Sequence, residues 1–190
     1  MEQNRIHIKN MVCPRCIAAV EMVLKKLNLN FIEIDLGTVV LDGSLTEGET
    51  QKLKIDLEEV GFELLNDKRS QLIEQVKSEI IKIVHYQEQA IQAGNLTDHL
   101  QKTIGHSYAS LSKLFSEFEG KTIEKYLILQ KIEKAKELLF YEELSISEIA
   151  YQLNYSSSQH FSRQFKSVTG LTPTEFGKNK KAGRHSINEI

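Results

Sequence analysis

The strongest constraint on this chain is that it repeats itself. Residues 96–122 read LTDHLQKTIGHSYASLSKLFSEFEGKT, and residues 146–172 read ISEIAYQLNYSSSQHFSRQFKSVTGLT. Aligned, Leu100 falls on Ala150, Gly105 on Asn154, Ser107 on Ser156, Leu111 on Phe161, Phe115 on Phe165 and Gly120 on Gly170. Self-similarity of this kind marks a supersecondary unit used twice. Each unit reads as a short helix, a tight turn, a serine cap and a second helix that ends in glycine. A long helix from about Thr122 to Phe140 joins them, and from Asn95 to Lys178 the pattern is helical throughout.

The second unit shows its chemistry more clearly. Ser145 with Glu148 three residues on is a capping box that starts a helix at Ile146. Ile149, Ala150 and Leu153 form its apolar face, and Ala150 is small enough for a second helix to cross closely. Asn154 stands where the chain turns, and asparagine tolerates the left-handed conformation better than other residues bearing a side chain. Ser156 is expected to cap the next helix. There Phe161, Phe165 and Val168 face inward, leaving Ser157, Ser158, Gln159, Ser162, Arg163 and Lys166 outside. This is a helix-turn-helix pattern whose second helix is rich in groups that reach base edges and phosphates. Gln and Arg make bidentate contacts to adenine and guanine, and small serines allow close approach to a groove wall.

Charge agrees locally and not globally. The 190 residues carry a net charge of −2, yet residues 157–185 hold Arg163, Lys166, Lys178, Lys180, Lys181 and Arg184 against Glu175 alone. A basic end on an acidic body is an electrostatic footprint for phosphates. With 41% hydrophobic residues, two prolines and no tryptophan, the composition is that of an ordinary globular protein. No apolar run reaches the length of a membrane span, and residues 1–20 lack a secretory apolar core, so no membrane partner is expected. The expectation is a cytoplasmic protein with reduced thiols.

The front of the chain follows different periods. Residues 4–9, NRIHIK, alternate as a half-buried strand does, and residues 14–28 place Ile17, Val20, Val23, Leu24 and Leu27 at helical spacing. FIEIDLGTVVLDG reads as a hairpin broken at Gly37. A helix from about Thr46 to Val60 presents Leu53, Leu57 and Val60, Gly61 stops it, and FELL (62–65) forms a last strand. The resulting β-α-β-β-α-β order is the ferredoxin-like pattern. From Lys68 to about Ala93 one helical pattern carries Ile73, Val76, Ile80, Ile83 and Val84. It serves either as a dimerising coiled coil over residues 70–91 or as an amphipathic connector packed on its own domains.

At this point the chain resembles a known family. KIEKAKELLFYEELSISEIAYQLNYSSSQHFSRQFKSVTGLTPTEF is similar to the C-terminal signature of the AraC/XylS transcription regulators, and the likeness runs from Asn95 to Lys178. It implies an all-α domain of about seven helices with two helix-turn-helix motifs that enter successive major grooves. Double-stranded DNA and RNA polymerase are the partners it implies. Carried over by position, base contacts fall on Ser158, Gln159 and Arg163 in the second unit and on Ala109, Ser112 and Lys113 in the first. Family members carry bulkier groups in the first unit, so direct readout is expected to lean on the second. Gln101 replaces a small residue at the first helix crossing, which predicts a looser first unit. Asn154 replaces the usual turn glycine, Lys131 a linker arginine, and Gly177 an arginine that contacts phosphate.

The two cysteines, Cys13 and Cys16, lie in NMVCPRC. Within a βαββαβ unit this loop resembles that of the heavy-metal-associated domains, where Met-x-Cys-x-x-Cys holds Cu(I) or another soft metal ion. That resemblance covers residues 3–66 and implies Cys13 and Cys16 as ligands, with Met11 packed beneath the loop. Asn10 and Val12 depart from its glycine and threonine, while Gly61-Phe62 matches its glycine–aromatic pair. Three readings of the cysteines stand side by side: a metal-responsive input, a redox pair of thioredoxin-like spacing, and a remnant of an ancestral metal domain. Zinc bound by four ligands from one chain is not expected, as there is no second cysteine pair or suitably spaced histidine pair, while a site sharing four thiolates between two chains stays open.

The organisation read from the sequence is thus a ferredoxin-like domain over 1–67, a connector helix over 68–93, an AraC-type domain over 94–180 and a flexible basic tail over 181–190. The function it points to is sequence-specific DNA-binding regulation with no required cofactor. The rival is a cytosolic metal chaperone or buffer whose helical half is a protein-interaction module. No nucleophile–base constellation or phosphate-cradling loop marks an enzyme.

Overall fold

A computed structural model describes residues 4–86, 93–141, 143–178 and 187. The chain divides into two compact units, residues 1–78 and 79–190.

The first unit is built on a four-stranded antiparallel sheet. Its elements are β1 (Asn4–Lys9), α1 (Pro14–Lys26), β2 (Phe31–Asp35), β3 (Thr38–Leu41), α2 (Glu47–Glu59) and β4 (Glu63–Leu65), followed by the start of α3 (Lys68–Ile81). The strand order is β2-β3-β1-β4. Alternation along β1 puts Ile8 and His7 on opposite faces, and both are buried. Both faces of the sheet are therefore covered. The core of the unit is Ile8, Met11, Val20, Leu24, Val39, Leu53 and Leu57, all fully buried. The burial of Met11 is the placement that the loop's resemblance implies.

Local chemistry sets the element ends. Pro14 opens α1 at its first turn, where a missing N–H costs nothing. Thr46 and Glu49 form a capping box that starts α2. Gly37 turns the β2–β3 hairpin at φ +76°, and a Cβ there would lie 2.5 Å from Ser78 Oγ, so α3 comes close enough to require glycine. Asn10 is left-handed at φ 74°. Its side chain donates to the Gly61 carbonyl at 3.2 Å and its N–H to Glu74 Oε1 at 3.2 Å.

One expectation for the connector is corrected. The helix does not run unbroken to residue 93: α3 ends at Ile81 and passes into a π-helical turn, Lys82–Tyr86. Residues 87–92 lie outside the described residues. Ile73, Val76, Ile80, Ile83 and Val84 are all buried within the single chain. A coiled-coil seam would have to present these five residues to a partner, and within the single chain they are already covered.

In the second unit, six α-helices follow among the described residues: α4 (Ala93–Ile104), α5 (Tyr108–Glu119), α6 (Ile123–Tyr141), α7 (Ile146–Gln152), α8 (Ser158–Thr169) and α9 (Pro173–Lys178). The expected tail, apart from Ile187, lies outside them. One core gathers Ile132, Ala135, Leu139, Ile149, Ala150, Leu153, Phe161, Phe165 and Phe176. Central α6 also buries polar groups. Gln130 donates to the Tyr126 hydroxyl at 3.0 Å and accepts from His85 Nε2 at 2.9 Å, while Lys136 pairs with Glu133 at 2.5 Å. No described helix is long and apolar enough to cross a membrane.

His7 supplies a pH signature for the first unit. Burial, followed by the neighbouring Arg5, holds its imidazole below the ordinary histidine value. As pH falls below the ordinary value of 6.5, the unfolded chain takes up a proton that the folded unit resists, so stability drops. Urea midpoints measured at pH 7.5 and 5.5 should differ less in His7→Gln than in wild type. An unchanged difference would show that His7 does not contribute.

Candidate nucleic-acid interface

The second repeat is fixed from both ends. Glu148 N–H donates to Ser145 Oγ at 3.3 Å, and Glu148 Oε2 accepts from Ser145 N–H at 2.8 Å, closing the expected capping box at the start of α7. At its other end Asn154 adopts φ 53°. There Tyr155 N–H reaches the Ala150 carbonyl and Asn154 N–H the Tyr151 carbonyl, both at 2.9 Å. This pair of bonds is the Schellman pattern, which satisfies the last carbonyls of the helix.

The cap of α8 is Ser157 and not Ser156. Ser157 has extended backbone angles, and its Oγ accepts from His160 N–H at 3.1 Å. Ser156 lies one residue too early to reach that N–H, and its hydroxyl instead meets His160 Nδ1 at 3.1 Å. The turn after α7 spans residues 153–157 and the turn after α4 only 105–107, which displaces the cap relative to the alignment.

On α8, Phe161 and Phe165 are fully buried and in edge contact at 5.7 Å. The opposite side carries the expected residues at steps of three and four: Gln159, Arg163 and Lys166 are exposed, Ser158 and Ser162 half-buried, and Ser157 exposed at the cap. His160 lies beside them and is also exposed, a polar position that the carried-over set omits. The helix contains no acidic residue. Glu175, the acid nearest in sequence, has its carboxylate engaged by Thr172, whose backbone and side chain hold it below the usual range. That Thr172–Glu175 box starts α9 and was readable as T-x-x-E.

The first repeat uses the same frame with different contents. Ser107 caps α5 by accepting from Ser110 N–H at 3.3 Å, and Gly120 ends it left-handed, as Gly170 ends α8. An offset of 50 places Ala109 on Gln159, Ser112 on Ser162 and Lys113 on Arg163. Ala109 and Lys113 are exposed and Ser112 is half-buried. The face thus has one cation and no amide. Gln101, at the crossing, uses its Oε1 to accept from Tyr108 N–H at 2.9 Å, giving the first turn of α5 a second cap. Tyr108 also donates its hydroxyl to Glu124, the second residue of α6, and this bond lowers the carboxyl.

Lys131, at the linker arginine's place, is buried on α6 with its ammonium 5.2 Å from the centre of the Tyr155 ring. Burial lowers its pKa. It therefore braces the inter-helix turn through a cation–π contact.

The two cysteines come together at the start of α1. Cys13 precedes α1 and Cys16 sits in its first turn, with their sulfurs 3.2 Å apart. Burial raises the Cys13 thiol, but hydrogen bonds from Cys16 and from the Cys16 and Arg15 N–H groups outweigh it and the net shift is down. Cys16 shifts up, from burial and from its bond to Cys13. Among the described residues no cluster of three or more His, Cys, Asp or Glu side chains is placed to hold a metal, and no observation supports the soft metal ion that the loop's resemblance implies.

Comparison with known proteins bears on the C-terminal half. Residues 100–179 match the family described as a helix-turn-helix domain. The chain is 35% identical over 97 residues to the xylose operon regulatory protein of Escherichia coli strain K12, covering 51% of this chain and 25% of that protein. It is 34% identical over 104 residues to the protein of the same name from Haemophilus influenzae, covering 53% and 26%. The chain thus spans about a quarter of the length of these curated relatives. Among solved structures, the C-terminal domain of AraT, a response regulator from Geobacillus stearothermophilus, is similar in fold. Its TM-score is 0.50 at 23% identity, covering 63% of this chain and 92% of that one.

The reassigned cap is directly testable. Ser157→Ala should destabilise the chain by about 1 kcal/mol, read as a shift in urea midpoint. Ser156→Ala should stay within about 0.5 kcal/mol of wild type. The reverse order would restore Ser156 as the cap.

Proposed function

We propose that this chain, whose C-terminal half is an AraC-type helix-turn-helix domain, is a sequence-specific DNA-binding transcription regulator. The observation that carries the reading is the acid-free face of α8, where Gln159, Arg163 and Lys166 stand exposed on a helix locked from behind by Phe161 and Phe165. A groove-reading helix needs its rotation fixed so that the same side chains meet the same base edges. In this reading Gln159 and Arg163 address bases, with Ser158 and Ser162 permitting close approach. Lys166 and the Ser157 hydroxyl address phosphates.

The first repeat acts mainly as a positioning element, with Lys113 on the backbone and Ala109 and Ser112 lining the approach. The first unit, with its βαββαβ order, is the companion domain and is of the ferredoxin-like kind. Double-stranded DNA is the partner, RNA polymerase the downstream contact, and the cytoplasm the compartment. Metal control through Cys13 and Cys16 forms no part of this proposal, because no observation supports it.

Selection of bound sequences from a random pool, followed by titration of variants on the selected site, tests the reading. Arg163→Ala should weaken binding by about 1–3 kcal/mol and relax specificity at one base position. Lys166→Ala should weaken all sequences alike and reduce the log–log salt slope by about 1. If Arg163→Ala bound the selected site as tightly as wild type, α8 would not be the reading helix. A flat salt response in wild type would favour the protein-interaction module.

A further inference from the structure

We propose that Cys13 and Cys16 form a reversible dithiol–disulfide site that exchanges with a low-molecular-weight, carboxylate-bearing disulfide of the glutathione type. The proposal stands on the geometry of the loop and is independent of the DNA-binding reading.

Three features prepare the bond. The sulfurs are already 3.2 Å apart, so closing to a disulfide length of about 2.05 Å requires only ~1.1 Å of relative movement. The backbone between them is closed beforehand: Cys16 N–H donates to the Cys13 carbonyl at 2.9 Å and Ile17 N–H to the same carbonyl at 3.3 Å. Pro14 fixes its own φ at the first helical position, so little chain entropy remains to be lost when the ring closes. Cys13 itself lies outside the helix with extended angles, which leaves its side chain unconstrained by the helical turn.

Access and charge favour a small anionic reagent. Both thiols are partly exposed, and Arg15 lies exposed between them. In the reaction one cysteine thiolate attacks a sulfur of the small disulfide, forming a mixed disulfide and releasing one small thiolate. The second cysteine, losing its proton, then attacks the protein sulfur of that mixed disulfide. The Cys13–Cys16 bond forms and the second small thiolate leaves. The protein is oxidised by two electrons, the small disulfide is reduced to two thiols, and the two cysteine protons end on them. The second step is intramolecular between preplaced sulfurs, so the mixed disulfide does not accumulate.

The test uses the full chain with a chelator present, equilibrated in glutathione buffers of graded reduced-to-oxidised ratio. Remaining thiols are alkylated and counted by mass. Wild type should pass from two alkylated thiols to none without a lasting glutathione adduct, and dithiothreitol should restore both. Cys13→Ser and Cys16→Ser should each halt at one glutathione adduct. A wild-type chain that keeps both thiols in every buffer, or that accumulates the adduct as the single variants do, overturns the proposal.

Discussion

Everything that α8 presents to solvent depends on the burial of Phe161 and Phe165. They are fully buried in a cluster with Phe176, Ile132, Ala135, Ile149 and Ala150. Loss of one such ring costs about 3–5 kcal/mol, against about 1 kcal/mol for the Ser157 cap. The aromatic pair therefore decides the rotation of the helix, and the cap decides where it begins. With both set, Gln159, Arg163 and Lys166 have no choice of face. Ala150 contributes by being small: a larger side chain there would push α7 away and move the turn that delivers α8.

The two repeats share this frame and differ in how they use it. In α5, Leu111 and Phe115 occupy the positions of Phe161 and Phe165, and both are buried. The frame is closed by Gln101, by Ser107 and by the Tyr108–Glu124 bond. Its outer face, however, carries Ala109 where α8 carries Gln159. A well-fixed helix without base-reading side chains contributes position more than information. The asymmetry is therefore chemical and not architectural.

Element order and most helix ends were legible because they rest on short-range signals. Ser145 with Glu148, Pro14, Gly120 and Gly170 each act within one helical turn. The cap of α8 was not legible, since consecutive serines are chemically equivalent and only the length of the preceding turn selects Ser157. Gln101 makes a contact that was hidden for a related reason. Its size argues for a strained crossing, but the direction of its amide, toward Tyr108 N–H, is a tertiary fact. The stripe from Ile73 to Val84 has the same ambiguity, because its period shows a face that must be buried and is silent about what buries it. The approach of the two cysteine sulfurs is likewise a tertiary distance that the spacing C-x-x-C does not carry.

Asparagine shows how local backbone demands and space combine. The left-handed residues other than glycine among those described are Asn10, Asn28 and Asn154. Each sits where a helix or strand must reverse within one residue, and each has room for a side chain. Asn28 and Asn154 both end helices through the Schellman bonds, and Asn10 uses its amide to hold the Gly61 carbonyl. At Gly37 the same left-handed geometry recurs, but a Cβ would fall 2.5 Å from Ser78 Oγ. An asparagine there would meet α3 before it could form any compensating bond. The replacement of a family glycine by Asn154 is therefore mild because asparagine adopts the left-handed conformation, and the turn keeps its Schellman bonds. That shape sets the length of the loop, the loop sets the cap at Ser157, and the cap sets where the reading face of α8 begins.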